Sequence, residues 1–266
     1  MEIISIILAA GKGKRMNSSL PKPLHKVAGK SLLEWLEGSL DEALVSKKIF
    51  VLGHKSEIIQ QHIKNSDYVI QEPQLGTGDA IQKLLHVLND YEGELLVLNG
   101  DVPLLSEKTL ESLVNNHRKN EASVTLLTAR LKDPSGYGRV FVDNQGEVQS
   151  IIEHRDCSQE QLKNSLTNSG IYCFDWKSLQ KVLFKLNSNN DQEELYLTDT
   201  IAMLDKARHL QVIDSTEVNG INDRIQLAEC ESLLQAKLRN YWMREGVTFI
   251  SPSSSTLSEN CTFGKD

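Results

Sequence analysis

A segment near the start of the chain, Leu8 to Met16, has the composition of a phosphate-binding turn. In Leu8-Ala9-Ala10-Gly11-Lys12-Gly13-Lys14-Arg15-Met16 an apolar run ends in small residues and glycines, and cations follow. Glycines let the backbone approach a phosphate and present N–H groups to it, and Arg15 can add a forked cationic contact. A dinucleotide fingerprint is excluded because Met16 stands three residues after Gly13, where it needs Gly. A Walker A loop ending at Ser31 is excluded because Leu24 stands where it needs Gly. The alternative interpretation is a glycine turn with solvated lysines.

Lys22 lies between two prolines in Leu20-Pro21-Lys22-Pro23-Leu24-His25. Proline restricts its own backbone and that of the residue before it, which is unusual for a mobile surface lysine. A cation held near a phosphate-binding turn suits the charge of a phosphoryl transition state. The alternative is a surface lysine in a proline-rich turn.

A third segment runs from Gln71 to Ala80 and contains Gly76, Thr77 and Gly78. Gln71 offers both a hydrogen-bond donor and an acceptor, as recognition of a pyrimidine edge requires. The glycines allow close approach of the backbone to a ligand, and Thr77 could also cap the following helix. We interpret the segment as a second ligand-binding turn.

Asp101 follows an apolar run in Leu98-Asn99-Gly100-Asp101-Val102-Pro103. A carboxylate after a buried strand, near two phosphate-binding turns, suits a hard oxygen ligand for Mg²⁺. The alternative is an ordinary aspartate in a turn.

The elements that must position these turns alternate between strands and helices. Strand-like runs span residues 3–8, 49–52, 68–70 and 95–98, and helical patterns span residues 31–45, 56–64, 77–89 and 106–119. Buried strands separated by helices predict an α/β fold with a doubly wound, mostly parallel sheet. Ligands on such a sheet bind at the carboxyl ends of the strands, so we expect the turns to meet there.

The second half of the chain has a different pattern. Segments 123–129, 139–142 and 147–152 follow one another closely and predict antiparallel additions at one side of the sheet. A further strand is expected at residues 170–174, and a long amphipathic helix at residues 223–244. Its predicted core-facing stripe is Leu227, Cys230, Leu234, Leu238 and Tyr241.

Eight short motifs occur in a fixed order along residues 3–245. They are L-A-A-G-K-G-x-R-M, L-P-K-x-L-H, Q-L-G-T-G, G-D-V-P-L, G-Y-G-R, I-E-H, N-S-G-I-Y and G-I-N-D-R. In this set and order the chain resembles the bacterial N-acetylglucosamine-1-phosphate uridyltransferase family. Its members have a Rossmann-like nucleotidyltransferase fold, serve UDP-N-acetylglucosamine and peptidoglycan synthesis, and usually carry an acetyltransferase domain behind the uridyltransferase domain.

The resemblance implies the substrates UTP and N-acetylglucosamine 1-phosphate, the cofactor Mg²⁺, and a role for each matching residue. The nucleotide site would consist of Leu8, Ala9, Ala10, Gly11, Gln71, Gly76, Thr77, Asn99 and Gly100. The catalytic cations would be Arg15 and Lys22, the sugar site Gly138, Glu153, Asn168 and Asn222, and the metal ligands Asp101 and Asn222.

The implied chemistry agrees with the residue types. A sugar phosphate is already an oxyanion at neutral pH, since its second pKa is about 6, so no general base is needed. The enzyme has to align two polyanions and neutralise developing charge, which cations, backbone N–H groups and a metal ion can do. We therefore expect no covalent enzyme intermediate.

Some of these residues have structural alternatives. Asn222 precedes the long helix and could be its N-cap, and Glu153 could pair with Arg155 on an exposed edge. His25 and His154 are expected to be structural or peripheral.

Two residues depart from the family pattern. Lys14 stands where Thr is common and could alter triphosphate affinity, and Asn99 stands where many members have an aromatic residue beside the nucleotide.

The composition narrows the class of protein further. The 266 residues have a formal net charge of −7, which argues against a non-specific nucleic-acid partner. No apolar run is long enough to span a bilayer, and the apolar start lacks the preceding charges of a signal peptide. The four cysteines are far apart and predict reduced thiols and a cytoplasmic protein.

The domain organisation implied by the resemblance has three parts. Residues 1–222 would form the nucleotidyltransferase domain, residues 223–245 a connecting helix, and residues 246–266 the truncated start of a left-handed β-helix. Such a solenoid needs several stacked turns, so neither acetyltransferase activity nor a β-helix trimer is expected of this chain.

Two other functions stay open from the sequence. One is nucleotidyl transfer to another sugar 1-phosphate, and the other is a catalytically silent nucleotide-binding module.

Overall fold

The computed structural model describes residues 2–40, 44–63, 66–131 and 133–264. The strands are β1 (Ile3–Ala9), β2 (Lys26–Val27), β3 (Lys30–Ser31), β4 (Lys47–Leu52), β5 (Asp67–Ile70), β6 (Glu94–Asn99), β7 (Val124–Arg130), β8 (Arg139–Val142), β9 (Val148–Ile152), β10 (Leu166–Asp175) and β11 (Ala207–Gln211). The α-helices are α1 (Leu32–Gly38), α2 (Ser56–Gln60), α3 (Thr77–Gln82), α4 (Glu107–Lys119), α5 (Trp176–Leu183) and α6 (Arg224–Arg244).

Within the described residues, nine strands form one sheet in the order β11-β7-β10-β6-β1-β4-β5, with β8 and β9 attached as a hairpin beside β10. β1 pairs in parallel with β4 and β6, and β5 is parallel to β4. β10 is antiparallel to both β6 and β7. The predicted α/β fold, a mostly parallel sheet with antiparallel additions, is confirmed.

Both faces of the sheet are buried. In β1, Ile4 and Ile6 belong to the core on one face, and Ile3 and Ile7 belong to the core on the other. Helices α3 and α5 contribute to the first core, and α1, α2 and α4 to the second. Because side chains alternate along a strand, burial on both faces requires an apolar run, as in β1. This doubly wound arrangement brings the carboxyl ends of β1, β5 and β6 to one edge.

Three of the predicted helices are shorter than the sequence pattern indicated. α1 ends at Gly38, where the Ser39 hydroxyl donates to the Leu36 carbonyl at 2.8 Å. α2 ends at Gln60, and the predicted end at residue 64 lies outside the described residues. After α3 the chain continues in tighter turns with bonds three residues back, which still bury Leu84. The apolar spacing therefore predicted the buried face correctly and the helix ends incorrectly.

Three strands are absent from the sequence prediction. β2 and β3 form a hairpin whose turn residues, Ala28 and Gly29, both have positive φ angles of 47° and 88°. Such a turn is a standard two-residue hairpin connection, but strands of two residues carry no detectable period. β11 lies parallel to β7 at the edge of the sheet and has a mixed polar sequence.

Helix α6 confirms the predicted long helix but not its whole stripe. Cys230 and Leu234 are buried with the β2–β3 hairpin, and Leu227 and Leu238 pack against that cluster. Tyr241 is 55% exposed, because this end of the helix extends past the cluster.

Among the described helices, none has both the length and the hydropathy needed to cross a bilayer.

The tail after α6 folds back against that helix and the hairpin. Its described part, residues 246–264, contains a short 3-10 turn at Pro252–Ser254 and no strand. Gln235 on α6 donates to the Leu257 carbonyl at 2.6 Å and accepts from the Leu257 N–H at 2.8 Å. Lys30 forms an ion pair with Glu259 at 2.6 Å. That this segment opens a β-helix stays a prediction.

Candidate active site

Two adjoining cavities open at the carboxyl edge of the sheet, with volumes of about 250 Å³ and about 200 Å³. Both are lined by Leu8, Thr77, Asn99 and Asp101, so they meet along these residues. The first is also lined by Ala9, Ala10, Gly11, Lys22, Gln71, Gly76 and Gly100. The second is also lined by Gly138, Glu153, Asn168 and Asn222. We call them the first and second cavity.

The turn after β1 lies against the first carbon atoms of the Lys22 side chain. Gly13 has a φ of 55°, and a Cβ there would come within 3.0 Å of the Lys22 Cβ. Lys22 begins the 3-10 turn Lys22–Leu24, which follows Pro21. The glycine and the prolines together therefore hold Lys22 beside the end of β1, as the sequence predicted.

The Lys22 ammonium contacts the two predicted metal ligands. It donates to Asp101 Oδ2 and, at 3.3 Å, to Asn222 Oδ1. The Ile221 N–H donates to the Asp101 carbonyl at 3.0 Å, which ties the two ligand loops together. Asp101 and Asn222, which are distant in sequence, thus direct oxygen atoms at one cation.

These two oxygens suit a divalent cation that completes its coordination with other ligands. Carboxylate and amide oxygens are the donors that Mg²⁺ prefers, and it usually takes only one or two from the protein. No cluster of three or more His, Cys, Asp or Glu able to hold a metal ion occurs among the described residues. The arrangement therefore fits an ion that binds together with phosphate oxygens.

Gln71 differs in one respect from the sequence prediction. Its side-chain nitrogen donates to the Gly76 carbonyl and to Asp79 Oδ2, each at 2.8 Å. Both N–H groups of the amide are therefore used within the protein. The predicted donor toward a base is wrong in this geometry, and the side-chain oxygen is the remaining group.

The turn at Gly76 is held by a neighbouring loop. Gly76 has a φ of 114°, and a Cβ there would lie 2.5 Å from the Leu195 carbonyl oxygen. The Thr77 hydroxyl accepts from the Leu197 N–H at 3.0 Å, and the N-cap of α3 is Gly76. The prediction that Thr77 could also cap α3 is therefore wrong, because its hydroxyl accepts from the loop instead.

The second cavity contains the carboxylate of Glu153. It accepts from the Thr198 hydroxyl at 3.1 Å, whereas Arg155 pairs with Asp191 at 3.5 Å. The alternative pairing of Glu153 with Arg155 is therefore wrong. Burial raises the pKa of Glu153, and the hydrogen bond from Thr198 offsets part of this rise.

Asn168 faces the same cavity from β10. Its Nδ2 donates to the Tyr172 hydroxyl at 2.7 Å, and its backbone N–H donates to the Gly138 carbonyl at 2.9 Å. Burial raises the pKa of Tyr172 above its ordinary value, so this hydroxyl stays protonated. Asn168 and Gly138 are thereby fixed relative to each other.

Arg139 binds the backbone of the loop that carries Tyr137 and Gly138. This buried guanidinium donates to the carbonyls of Pro134, at 2.8 Å, and Tyr137. His154 contacts it at 3.5 Å and lines neither cavity. Arg139 therefore positions the loop without itself lining either cavity.

Arg15 lies outside both cavities. It is exposed on the 3-10 turn Lys14–Met16. Burial raises the pKa of the Tyr137 hydroxyl, and the positive charge of Arg15 offsets a small part of that rise. The catalytic role of Arg15 stays a prediction.

The structure tests the structural roles that the sequence suggested for Asn222 and His25. Asn222 is not the N-cap of α6, since Asp223 accepts from the N–H groups of Ile225 and Gln226, each at 2.9 Å. The Asn222 side chain is thereby left to face Lys22. His25 is buried with its Nδ1 3.3 Å from Arg224, and burial followed by that charge lowers its pKa, which agrees with a structural role.

Sequence reasoning missed several residues that line the cavities. Gln74 and Glu194 line the first, and Tyr137, Tyr172 and Thr198 line the second. Both tyrosines stand inside motifs that the sequence singled out, so those motifs were the available signal. Thr198 and Glu194 come from the long connection before β11, and no local pattern links them to the site.

A protein-family model described as nucleotidyl transferase matches residues 4–243. The bifunctional protein GlmU of Prochlorococcus marinus strain MIT 9313 is 59% identical over 263 residues, which cover 98% of this chain and 59% of that relative. The bifunctional protein GlmU of Synechococcus elongatus is 47% identical, with coverage of 98% and 58%. The chain thus spans less than two thirds of the length of these curated relatives.

Two solved structures share the fold. UDP-glucose pyrophosphorylase complexed with UDP-glucose superposes with a TM-score of 0.69 at 16% identity, covering 89% of this chain and 100% of that one. CMP:2-keto-3-deoxy-manno-octonic acid synthetase complexed with CTP gives 0.63 at 18% identity, with the same coverage of 89% and 100%. At these identities the similarity concerns the fold alone.

Proposed function

Because the chain belongs to the nucleotidyl transferase family, we propose that it transfers the uridylyl group of UTP to N-acetyl-α-D-glucosamine 1-phosphate. The products are UDP-N-acetylglucosamine and pyrophosphate. The observation that carries the proposal is the meeting of two cavities at Asp101, where the Lys22 ammonium and the Asn222 amide oxygen converge. The ordered motifs and the high identity to relatives across nearly the whole chain support the choice of substrates.

The first cavity accepts the nucleotide. The backbone from Leu8 to Gly11 leads to the phosphates, and Gln71, Gly76 and Thr77 surround the base. Asn99, at the end of β6, and Gly100 line the same cavity beside Leu8. Arg15, which lies outside both cavities, supplies a further positive charge for the triphosphate.

The second cavity accepts the sugar phosphate. Glu153 accepts a hydrogen bond from a sugar hydroxyl, and Asn168 and the Gly138 backbone bind the N-acetyl group. Asn222 stands where the sugar phosphate enters the junction. Thr198 and Tyr172 hold Glu153 and Asn168 in place.

The transfer is a single displacement at the α-phosphorus of UTP. An oxygen of the sugar phosphate forms the new P–O bond, the bond to the β-phosphate breaks, and pyrophosphate leaves with its electron pair. No proton has to be removed, because the attacking oxygen is already ionised. Lys22 neutralises the charge of the reacting phosphates, and the two cavities align attacking and leaving oxygens.

Mg²⁺, when bound, neutralises phosphate charge and orients the triphosphate. Asp101 and Asn222 would hold it, since their oxygens already converge on the ammonium of Lys22.

The domain organisation is also a proposal. Residues 1–222 form the transferase domain, residues 223–245 the connecting helix, and residues 246–266 the opening of a β-helix. All four cysteines are free thiols, which suits a reducing compartment, and we assign the protein to the cytoplasm, where its product serves cell-wall synthesis.

The test is pyrophosphate release from UTP, with and without N-acetylglucosamine 1-phosphate and with and without Mg²⁺. Release that needs both additions is expected, together with slower reaction of glucose 1-phosphate or dTTP. Faster reaction of another pair would correct the substrate assignment. Nucleotide binding without release from any pair would indicate a silent binding module.

A further inference from the structure

The amide of Gln71 is held in one orientation. Gln71 is 3% exposed, and its side-chain nitrogen donates to Asp79 Oδ2 and to the Gly76 carbonyl. Both partners are acceptors only. Turning the amide over would direct its oxygen at two other oxygens, and each of them would lose its hydrogen bond from Gln71. The structure therefore fixes the nitrogen inward and leaves the oxygen as the polar atom that can meet a ligand in the first cavity.

Asp79 is the part of this arrangement that the sequence analysis did not assign. It is 4% exposed and lies in the first turn of α3. Its Oδ2 also accepts from the Leu75 N–H at 3.4 Å, and its Oδ1 pairs with Lys83 at 3.0 Å. A carboxylate so anchored cannot turn away from Gln71.

We propose that Asp79 is a positioning residue that sets pyrimidine specificity, by fixing Gln71 so that it presents an acceptor and no donor to the base. The identity of the ligand as a pyrimidine nucleotide rests on the proposed function.

The chemistry of the bases gives the direction of the preference. Uracil and thymine carry an N–H at ring position 3, which can donate to the Gln71 oxygen. Cytosine carries a bare nitrogen acceptor at this position, which would face that oxygen without a proton between them. A fixed acceptor therefore favours UTP over CTP, because a polar site rejects a partner that leaves its groups unpaired.

A purely structural role for Asp79 predicts something different. An acidic residue in the first turn of a helix, paired with a lysine four residues on, stabilises the helix. Its loss would then weaken binding of both nucleotides by the same factor. The ratio of the two affinities separates the explanations.

The experiment measures the dissociation constants of UTP and CTP by calorimetry for the wild type, Asp79→Asn and Lys83→Met. Asp79→Asn keeps the shape but adds a donor, so Gln71 can turn over. We expect the preference for UTP to fall about tenfold, the factor for one hydrogen bond of roughly 1.4 kcal/mol. Lys83→Met removes the ion pair, leaves the hydrogen bond to Gln71 in place, and should retain the preference.

A second measurement covers the possibility that Asp79→Asn folds poorly. In wild-type protein labelled with ¹⁵N-glutamine, the Gln71 amide, assigned by its loss in Gln71→Met, should exchange its protons slowly. Fast exchange of that signal contradicts the inference.

The outcomes separate this inference from the transferase proposal, because it requires only binding. Equal affinity of the wild type for UTP and CTP, binding of neither, or an unchanged preference in Asp79→Asn overturns it. If the preference falls as expected but no pyrophosphate is released, the inference stands and the transferase proposal fails.

Discussion

At the scale of single residues, the Lys22 ammonium lies at the point where the side-chain oxygens of Asp101 and Asn222 converge. A divalent cation at that point would repel the Lys22 ammonium, and the triphosphate oxygens would attract this ammonium. Lys22 would therefore have to leave Asp101 for the phosphates if nucleotide and Mg²⁺ were bound together. The free chain should then bind metal weakly.

Replacement of Lys22 by Met should have opposite effects on turnover and on metal binding. Turnover should fall by about 10² or more, as when a preorganised group is removed from a charged transition state. Binding of Mn²⁺ to the nucleotide-free chain should tighten by at least about tenfold, since unit charges near a protein surface interact by about 4 kcal/mol at 4 Å. Calorimetric titration measures this, with Lys177→Met as the exposed control. Unchanged Mn²⁺ affinity in Lys22→Met would show that the ammonium does not compete.

The proposed role of Glu153 implies that sugar binding depends on pH. Burial raises its pKa, and its ionised form is a stronger acceptor for a sugar hydroxyl than its protonated form. As the pH falls through this raised pKa, the wild type should lose affinity for N-acetylglucosamine 1-phosphate. The KM of Glu153→Gln divided by the wild-type KM should therefore fall toward one at low pH, a ratio that cancels the ionisation of the sugar phosphate itself.

Thr198→Val supplies the matched variant for this profile. The hydrogen bond from Thr198 lowers the pKa of Glu153, so its removal should move the transition in KM to higher pH. A ratio of KM values that does not vary with pH would rule out Glu153 as the acceptor.

At the scale of elements, the buried strands β1, β4 and β6 could be predicted because each is an apolar run covered on both faces. The ends of α1, α2 and α3 could not be predicted. A hydroxyl bonded to the backbone or a tighter turn ends these helices, whereas the apolar spacing continues past their ends. β11 has a mixed polar sequence and is defined only by its pairing with β7.

Attachment of the tail to α6 depends on a buried pair of hydrogen bonds. Gln235 is 5% exposed and satisfies both backbone groups of Leu257. Gln235→Leu should leave these groups unpaired and lower the free energy of unfolding by about 1–3 kcal/mol. Hydrogen exchange around residue 257 should accelerate, and Asn240→Leu, at an exposed position of the same helix, should change neither quantity. Unaltered protection at Leu257 would show that other contacts hold the tail.

At the scale of the whole molecule, the sequence predicted most of the lining of the two cavities, because the turns after β1, β5 and β6 meet at one edge of a parallel sheet. Asn222 and Glu153 were assigned through family motifs, and the structure brings both to the second cavity. Arg15 is exposed and lines neither cavity. Thr198 contacts Glu153, and Asp79 contacts Gln71. Contacts of this kind can be identified only once the distances between the side chains are known.

The two joined cavities lead to one central claim, that this chain joins UTP to a sugar 1-phosphate at Asp101. The most direct measurement follows UTP, N-acetylglucosamine 1-phosphate and Mg²⁺ by ³¹P NMR with the wild type and with Asp101→Ala. We predict equal amounts of UDP-N-acetylglucosamine and pyrophosphate from the wild type, and a rate lower by orders of magnitude in a folded Asp101→Ala. No product from the wild type, or a near-normal rate in Asp101→Ala, would contradict the account.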